Sequence, residues 1–215
     1  MCLAPPAIAQ LDQISSREAV SGLKAALEKG SLAAVAALGR ADGFLGNPQV
    51  KIPLPESLQR TERLMRRVGM GKQADELIVT LNRAAEAAVP EARSLFLDAV
   101  KKMSVQDAKG ILSGGDTAAT GYFRRTTQDP LRQRFLPIVR KATSRVELAQ
   151  RYNAYAETAA AFGLVRKEDA NLDGYVTQKA LDGLFFMVGE EEKKIRKDPV
   201  GSASAIIRKV FGSLL

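Results

Sequence analysis

The chain has 215 residues, 46% of them hydrophobic and 26% charged, and 32 Lys and Arg against 24 Asp and Glu give a formal charge of +8. This composition is typical of a globular protein, and no apolar run approaches the roughly 20 residues of a membrane-spanning helix. There is no histidine, and the only cysteine is Cys2. Histidine-dependent triads, structural zinc sites, iron–sulfur clusters and an internal disulfide are therefore excluded, so an enzyme would depend on carboxylates, hydroxyls, Lys or Arg.

The N-terminal segment resembles part of an export signal. Residues 1–9 carry no charge and end in Ala7-Ile8-Ala9, the small-x-small pattern that signal peptidase recognises. We predict that residues 1–9 are a residual export-signal tail and that residues 10–215 form a single helical domain in the periplasm or cell envelope. The mature chain would then lack cysteine, which suits an oxidising compartment. The alternatives are a frayed apolar N-terminus and, if the natural start lies upstream, a lipobox at Cys2.

The first half of the chain is predicted to be helical on both sides of one extended segment. Ser15 and Glu18 form a capping box for the first helix, which Gly30 is expected to end, and an Ala-rich helix follows over residues 31–38. The Gly and Pro residues within 41–55 predict a turn-rich, extended connection. Further helices are predicted at about 56–68, 71–88 and 90–102.

The second half is also predicted to be helical. Ser104 caps a short helix that ends at Gly110, and Asp129-Pro130 opens a long helix. Thr177 is expected to start an amphipathic helix that continues to about Lys197. The other predicted helices are at about 116–126, at about 146–162 and from Asp198 onward. Together these patterns predict an all-α fold, a compact bundle of about eight to ten helices with one extended Pro/Gly-rich segment.

The stretch EDANLDGYVTQKAL at residues 168–181 has some features of a calcium loop. Asp169, Asn171 and Asp173 occupy the first three ligand positions of an EF-hand, and Gly174 follows at the glycine position. Ala180, however, stands where the loop requires a bidentate Glu. The same residue types are typical of a turn between two helices. We therefore predict a turn, with no metal site and no cofactor.

The stretch GILSGGDT at residues 110–117 has glycines spaced as in a phosphate-binding loop. Asp116 stands in place of the essential lysine and would repel a phosphate, so nucleotide binding is rejected. The helix that follows concentrates hydroxyl, aromatic and guanidinium groups, which suit an anionic ligand or an acidic partner surface. The alternative is a packing helix with two exposed arginines. The candidate binding residues are Asp116, Thr117, Thr120, Tyr122, Arg124 and Arg125.

The stretch GEEEKKIRK at residues 189–197 is interpreted as a charged outer helix face with Glu–Lys pairs at helical spacing. Catalytic carboxylates could be drawn from Glu190, Glu191 and Glu192. Their spacing gives no reason to prefer any of them, so no catalytic residue is predicted.

Several blocks of the sequence, taken in order, resemble a bacterial family catalogued as domain of unknown function 4197. They are GLKAALEKG, DGFLGNPQVKIPLPE, NRAAEAAVPEA, ILSGGDTAATGYFRRTT and YVTQKALDGLFFMVGEEEKKIRKDPV, with VFG near the C-terminus. The resemblance covers nearly the whole mature chain. It implies an exported, mostly helical bacterial protein without an assigned activity, and it supplies neither catalytic residues nor a calcium loop.

These observations favour a non-enzymatic protein that binds an anionic ligand or an acidic partner in the cell envelope. An envelope enzyme that uses carboxylates and Arg on glycan-like substrates is the first alternative, and it would require a deep polar pocket with two carboxyl groups of raised pKa. Nucleic-acid binding through the net positive charge is the second. It would require a cytoplasmic location, and no recognised motif accompanies the charge, so we expect no nucleic-acid partner.

Overall fold

The structure is a computed structural model that describes residues 16–69, 71–161 and 171–198, and in these ranges the regular elements are helices. The prediction of an all-α fold is confirmed. None of the described helices combines the length and the apolar character needed to cross a membrane. The helices are α1 (Ser16–Leu38), α2 (Glu56–Arg67), α3 (Gly71–Ala88), α4 (Ala92–Lys102), α5 (Val105–Leu112), α6 (Ala118–Thr143), α7 (Glu147–Ala161) and α8 (Leu172–Lys197), and a 3-10 turn, Val89–Glu91, precedes α4.

The chain divides into two compact units, each with its own buried apolar residues. Unit 1 comprises Met1–Ala34, Ser94–Thr127 and Met187–Leu215, and unit 2 comprises Val35–Arg93 and Gln128–Phe186. The prediction of a single domain stays a prediction. The largest fully buried side chains are Leu23, Phe96 and Phe123 in unit 1, and Leu38, Phe44, Ile52, Leu77, Leu81, Leu131, Phe135, Leu172 and Phe185 in unit 2.

Helix α1 does not end at Gly30, so this part of the sequence-based prediction was wrong. A Cβ built at Gly30 would lie 3.1 Å from Ile195 Cδ1 and 3.7 Å from Glu191 Cβ of α8. The missing side chain therefore permits a close approach of α1 and α8 within unit 1. The helix continues because α1 has apolar residues buried on both sides of the glycine, including Leu27 and Ala34.

Helix α6 runs through Pro130, which the sequence had placed at the start of a new helix. The ring removes one backbone donor, at a cost to the helix, but an uninterrupted buried face offsets that cost. The threonines of this face also donate to backbone carbonyl oxygens, as Thr127 Oγ1 does to Phe123 at 2.6 Å. Buried residues occur at every fourth position and form a stripe that winds gradually around the helix: Ala119, Phe123, Thr127, Leu131, Phe135, Val139 and Thr143.

Helix α8 begins at Leu172, five residues before the Thr177 predicted to cap it. Asn171 is the capping residue, because its Oδ1 accepts hydrogen bonds from the backbone N of Asp173 at 2.9 Å and of Gly174 at 3.2 Å. Asp173 accepts a hydrogen bond from Thr143 Oγ1 at 2.6 Å. Two residues of the calcium-like stretch thus start a helix and pack inside unit 2, whereas Asp169 lies outside the described residues. Across the described ranges, no three Asp, Glu, Cys or His side chains are placed to share a metal ion.

Residues 39–55, between α1 and α2, form turns and irregular chain whose backbone is hydrogen-bonded by α3. The fully buried Asn82 accepts from Ile52 N at 2.8 Å and donates to Ile52 O at 2.9 Å. Glu86 Oε1 accepts from the N–H groups of Phe44 at 3.0 Å and Leu45 at 3.1 Å. Helix α3 therefore supplies hydrogen bonds that an irregular buried segment cannot make with itself.

The close contact at Gly183 of α8 gives a first prediction. A Cβ at this position would lie 2.7 Å from Phe44 Cε1 and 3.3 Å from Val50 Cβ, and Phe44 is fully buried. We expect Gly183→Ala to lower the free energy of unfolding by about 1–3 kcal/mol through overpacking, although alanine favours a helix.

Gly121 of α6 is the matched control because a Cβ there would meet nothing within 4 Å. Gly121→Ala should stabilise by about 0.5–1 kcal/mol in urea unfolding. Shifts of equal sign would contradict the packing described for Gly183.

Candidate functional site

The N-terminus of α6, where the sequence placed the candidate binding residues, is capped by a distant carboxylate. Glu192 of α8 accepts hydrogen bonds from Ala119 N at 2.9 Å, Thr120 N at 2.8 Å and Thr120 Oγ1 at 2.9 Å. Asp116 and Thr117, which precede the helix in the chain, are both exposed. The partial positive charge of the helix N-terminus is thus matched by the protein's own carboxylate.

Arg196 completes the arrangement, which we name the Glu192 cluster (Thr120, Glu192 and Arg196). Its Nε and Nη2 lie 3.1 Å and 2.9 Å from Glu192 Oε1, and its Nη2 also donates to the carbonyl oxygen of Ile111 at 2.9 Å. The side chains of Glu192 and Arg196 are only 6% and 15% exposed. The cluster therefore joins α5, α6 and α8 within unit 1.

The outer-face interpretation of GEEEKKIRK holds for two of its glutamates and is wrong for the third. Glu190 and Glu191 pair with Lys193 at 2.8 Å and Lys194 at 2.7 Å, one helical turn away. Glu192, in contrast, faces the interior. Because its carboxylate already binds two backbone N–H groups, a hydroxyl and a guanidinium, it is not placed to act as a general base.

Tyr122, a predicted site residue, packs in the core of unit 1. Its hydroxyl donates to the carbonyl oxygen of Ala99 at 2.7 Å, and its ring meets the ring of Phe123 edge-on with the centroids 5.9 Å apart. Burial raises the pKa of Tyr122, with a smaller contribution from the negative charge of Asp107. The hydroxyl therefore serves packing and is not presented to a ligand.

Arg125 is the predicted site residue that lies beside Tyr122. Its guanidinium carbon is 5.6 Å from the centroid of the Tyr122 ring, and its Nη2 is 3.5 Å from Asp107 Oδ1. Asp107 belongs to the capping box of Ser104 that the sequence predicted, although α5 ends at Leu112 rather than at Gly110. The pKa of Asp107 is lowered first by the Ser104 hydroxyl, then by the Ser104 backbone N–H, and further by the charge of Arg125. Arg124 is exposed on the same helix.

Unit 2 contains a buried glutamate, Glu86, which the sequence analysis missed. Arg83 Nη1 lies 2.6 Å from Glu86 Oε2, and Arg83 Nη2 lies 2.7 Å from Asp42 Oδ1. Asp42 adopts a left-handed backbone conformation with φ of 63°. We name Asp42, Arg83 and Glu86 the Glu86 cluster. The available signal was the placement of Asn82 and Glu86, one turn apart, on a helix face otherwise made of Leu and Ala.

The sequence analysis also missed a groove in unit 2. It has a volume of about 540 Å³ and lies between the irregular segment, α2 and α3. Lys51 and Arg63 are exposed at its rim. We name it the proline groove; its apolar lining is Pro48, Pro53, Leu54 and Ile78, and its polar lining is Lys51, Gln59, Glu62 and Arg63.

Residues 13–212 match the family described as protein of unknown function (DUF4197). The chain belongs to this family. The match confirms the resemblance of the sequence blocks, and the chain has no match among the curated proteins or the solved structures. In this DUF4197 protein, the two clusters join four of the blocks in pairs. Glu86 of NRAAEAAVPEA binds Phe44 of DGFLGNPQVKIPLPE, and Glu192 of the C-terminal block binds Thr120 of ILSGGDTAATGYFRRTT.

The Glu192 cluster gives a second prediction. In Glu192→Gln, the amide can offer one acceptor oxygen, while its NH₂ group opposes the N–H donors of α6 and Arg196 loses its ion pair. Removing one partner of a buried pair costs about 3 kcal/mol, so we expect a decrease of that order in the free energy of unfolding.

The control is Glu190→Gln, which alters a partly exposed pair on the same helix and should change the unfolding midpoint far less than Glu192→Gln does. Both variants are compared with the wild type in urea. If the two variants have the same small effect, Glu192 does not hold the start of α6.

Proposed function

We propose that this DUF4197 protein is an exported, non-enzymatic protein of the bacterial cell envelope that binds an anionic ligand or an acidic partner. The observation that carries the proposal is the proline groove. Most of the surface that lines it is apolar, and Lys51 and Arg63 supply positive charge at the rim. Sites for small molecules are typically concave and mostly apolar, with a few polar groups that orient the ligand.

The state of the carboxylates supports binding over catalysis. A general acid or base needs access to the substrate and a pKa near the working pH. The buried Glu86 and Glu192 are both occupied by backbone N–H groups and an arginine. In the described part of the chain, the carboxyl groups with a shifted pKa are shifted downward: Asp75 by a hydrogen bond from Arg66, Asp107 by one from Ser104 and Glu190 by one from Lys193.

A second binding surface is supported by the position of Arg125. Its guanidinium is oriented by the Tyr122 ring and by Asp107, and it is 67% exposed. A cation held in this way can pair with an acidic partner surface at a small entropic cost. The neighbouring exposed residues Asp116, Thr117 and Arg124 would extend this surface, whereas Thr120 belongs to the Glu192 cluster.

Export to the envelope is supported by the sequence. The Ala7-Ile8-Ala9 pattern lies outside the described residues, and the chain after Cys2 contains no further cysteine. An envelope location would also remove the nucleic-acid alternative, which requires the cytoplasm. The net charge of +8 would then favour anionic lipids, acidic glycans or acidic partners.

The location can be tested by expressing the natural reading frame, including any upstream residues, in a bacterial host. We expect a mature protein that begins at or near Gln10 in the envelope fraction, because Ala9 would be the last residue of the signal. Fractionation and N-terminal mass spectrometry check this result. An uncleaved protein confined to the cytoplasm would overturn the proposed location.

Binding at the proline groove can be tested with 8-anilinonaphthalene-1-sulfonate, a fluorescent probe with an apolar ring system and one negative charge. We expect the folded protein to bind the probe and the double variant Lys51→Glu with Arg63→Glu to lose about tenfold or more in affinity. The matched control is Lys109→Glu with Arg145→Glu, which changes the same total charge at exposed positions that do not line the groove.

Equal losses in the two double variants would show that the probe responds only to net charge. Loss of binding in Arg124→Ala with Arg125→Ala, with binding retained in the groove variant, would assign the probe site to the surface at Arg125. Either result would overturn the assignment of binding to the groove.

A further inference from the structure

We propose that the ligand of the proline groove is a single-chain amphiphile, an unbranched apolar chain that ends in one carboxylate or phosphate group. This inference rests on the proposed binding function of the groove and names the class of its ligand. It follows from the charge of the rim, from the hydrogen bonding of the wall and from the rigidity of the lining.

The charge of the rim matches a single negative head group. Glu62, the carboxylate of the lining, lies 2.9 Å from Arg66 Nη2, and Arg66 also pairs with Asp75 at 2.5 Å. The pKa of Asp75 is lowered by this hydrogen bond from Arg66. The three cations Lys51, Arg63 and Arg66 against the two anions Glu62 and Asp75 leave a net charge of +1. Lys51 and Arg63 therefore supply the charge that the head group would meet.

Several backbone groups in and beside the groove wall are already hydrogen-bonded within the protein. Both the N–H and the carbonyl oxygen of Ile52 are bound by Asn82. The carbonyl oxygen of Pro53 accepts from the Tyr175 hydroxyl at 3.1 Å, and that of Leu54 accepts from Gln59 Nε2 at 3.0 Å. The two prolines of the lining, Pro48 and Pro53, have no N–H to donate.

This wall selects against peptides and glycans. An extended peptide that adds to an exposed chain edge relies on a ladder of backbone hydrogen bonds, and the carbonyl oxygens of Pro53 and Leu54 are already occupied within the protein. A glycan hydroxyl placed against Pro48, Pro53 or Ile78 would lose its hydrogen bonds to water, at a cost for each group left unpaired. An apolar chain has no hydrogen bonds to lose and gains from the removal of apolar surface from water.

The lining is also held in place before a ligand binds. The hydrogen bonds from Asn82, Tyr175 and Gln59 fix three consecutive residues, Ile52, Pro53 and Leu54, of which the last two line the groove. A preformed site avoids the entropic cost of ordering on binding. The volume of about 540 Å³ falls within the range of about 300–1,000 Å³ that is typical of small-molecule sites.

The test compares four compounds by calorimetry with the full chain, below the concentrations at which they form micelles. Laurate and dodecyl phosphate carry both the chain and an anionic head, dodecyl maltoside has the chain with a neutral head, and acetate has the head without the chain. We expect laurate or dodecyl phosphate to bind and the other two to bind at least about tenfold more weakly. Whichever of the two anions binds more tightly identifies the head group.

The variants Arg63→Ala and Arg67→Ala separate the groove from the rest of α2. Arg67 is exposed one turn after Arg63 and does not line the groove. We expect Arg63→Ala to weaken binding of the anionic amphiphile about tenfold and Arg67→Ala to change it by less than about twofold. Equal losses in both variants would indicate adsorption to a basic surface and would overturn the inference.

The two levels of the proposal fail in different ways. If the fluorescent probe binds at the groove but neither laurate nor dodecyl phosphate displaces it, the ligand class is wrong and the binding function stands. Binding of dodecyl maltoside as tightly as laurate would also overturn the class, because the head group would not be recognised. If the probe itself does not bind at the groove, the proposed function fails.

Discussion

The fold depends on a buried glutamate that replaces a missing backbone acceptor. Glu192 does this for Ala119 and Thr120 in unit 1, and Glu86 does it for Phe44 and Leu45 in unit 2. A buried carboxylate is tolerated only where hydrogen bonds and an opposite charge offset its desolvation, and an arginine on the same helix supplies that charge in both units. One carboxylate fixes where a helix starts, and the other fixes the path of an irregular segment.

The same interactions limit the chemistry that the two buried glutamates can perform. Glu86 and Glu192 accept hydrogen bonds from backbone N–H groups and pair with an arginine. Because their oxygens are occupied in this way, they are not placed to act as a general acid or base. In unit 2, Asn82 and Glu86 of α3 also hold the segment that forms one wall of the proline groove. The groove is therefore a consequence of the scaffold, and the polar groups that a ligand meets there are the side chains at the rim. Buried carboxylates that stabilise the fold, together with charged side chains exposed at a groove, suit binding better than catalysis.

The sequence predicted the elements whose limits are set locally. The bounds of α3 and the capping box of Ser104 follow from the helical spacing of apolar residues and from the Gly, Pro and Ser residues that start or end helices. Both predictions are confirmed. The predicted helix ends were wrong at Gly30, Pro130 and Thr177. At each of them, contacts with residues distant in the sequence outweigh the local preference of the residue. The cap of α6 could not be predicted because its acceptor lies 73 residues further along the chain. The proline groove likewise depends on three segments that only the fold brings together.

Amide hydrogen exchange, followed by NMR in the native protein, tests the central claim most directly. The N–H groups of Phe44, Leu45, Ala119 and Thr120 donate to no backbone acceptor in a helix ladder, and their protection depends on the two glutamates. The account predicts that all four exchange slowly, with protection comparable to that of interior helical amides. Exchange of these amides at the rate of an unfolded chain would show that the carboxylates do not hold the backbone, and it would contradict the account.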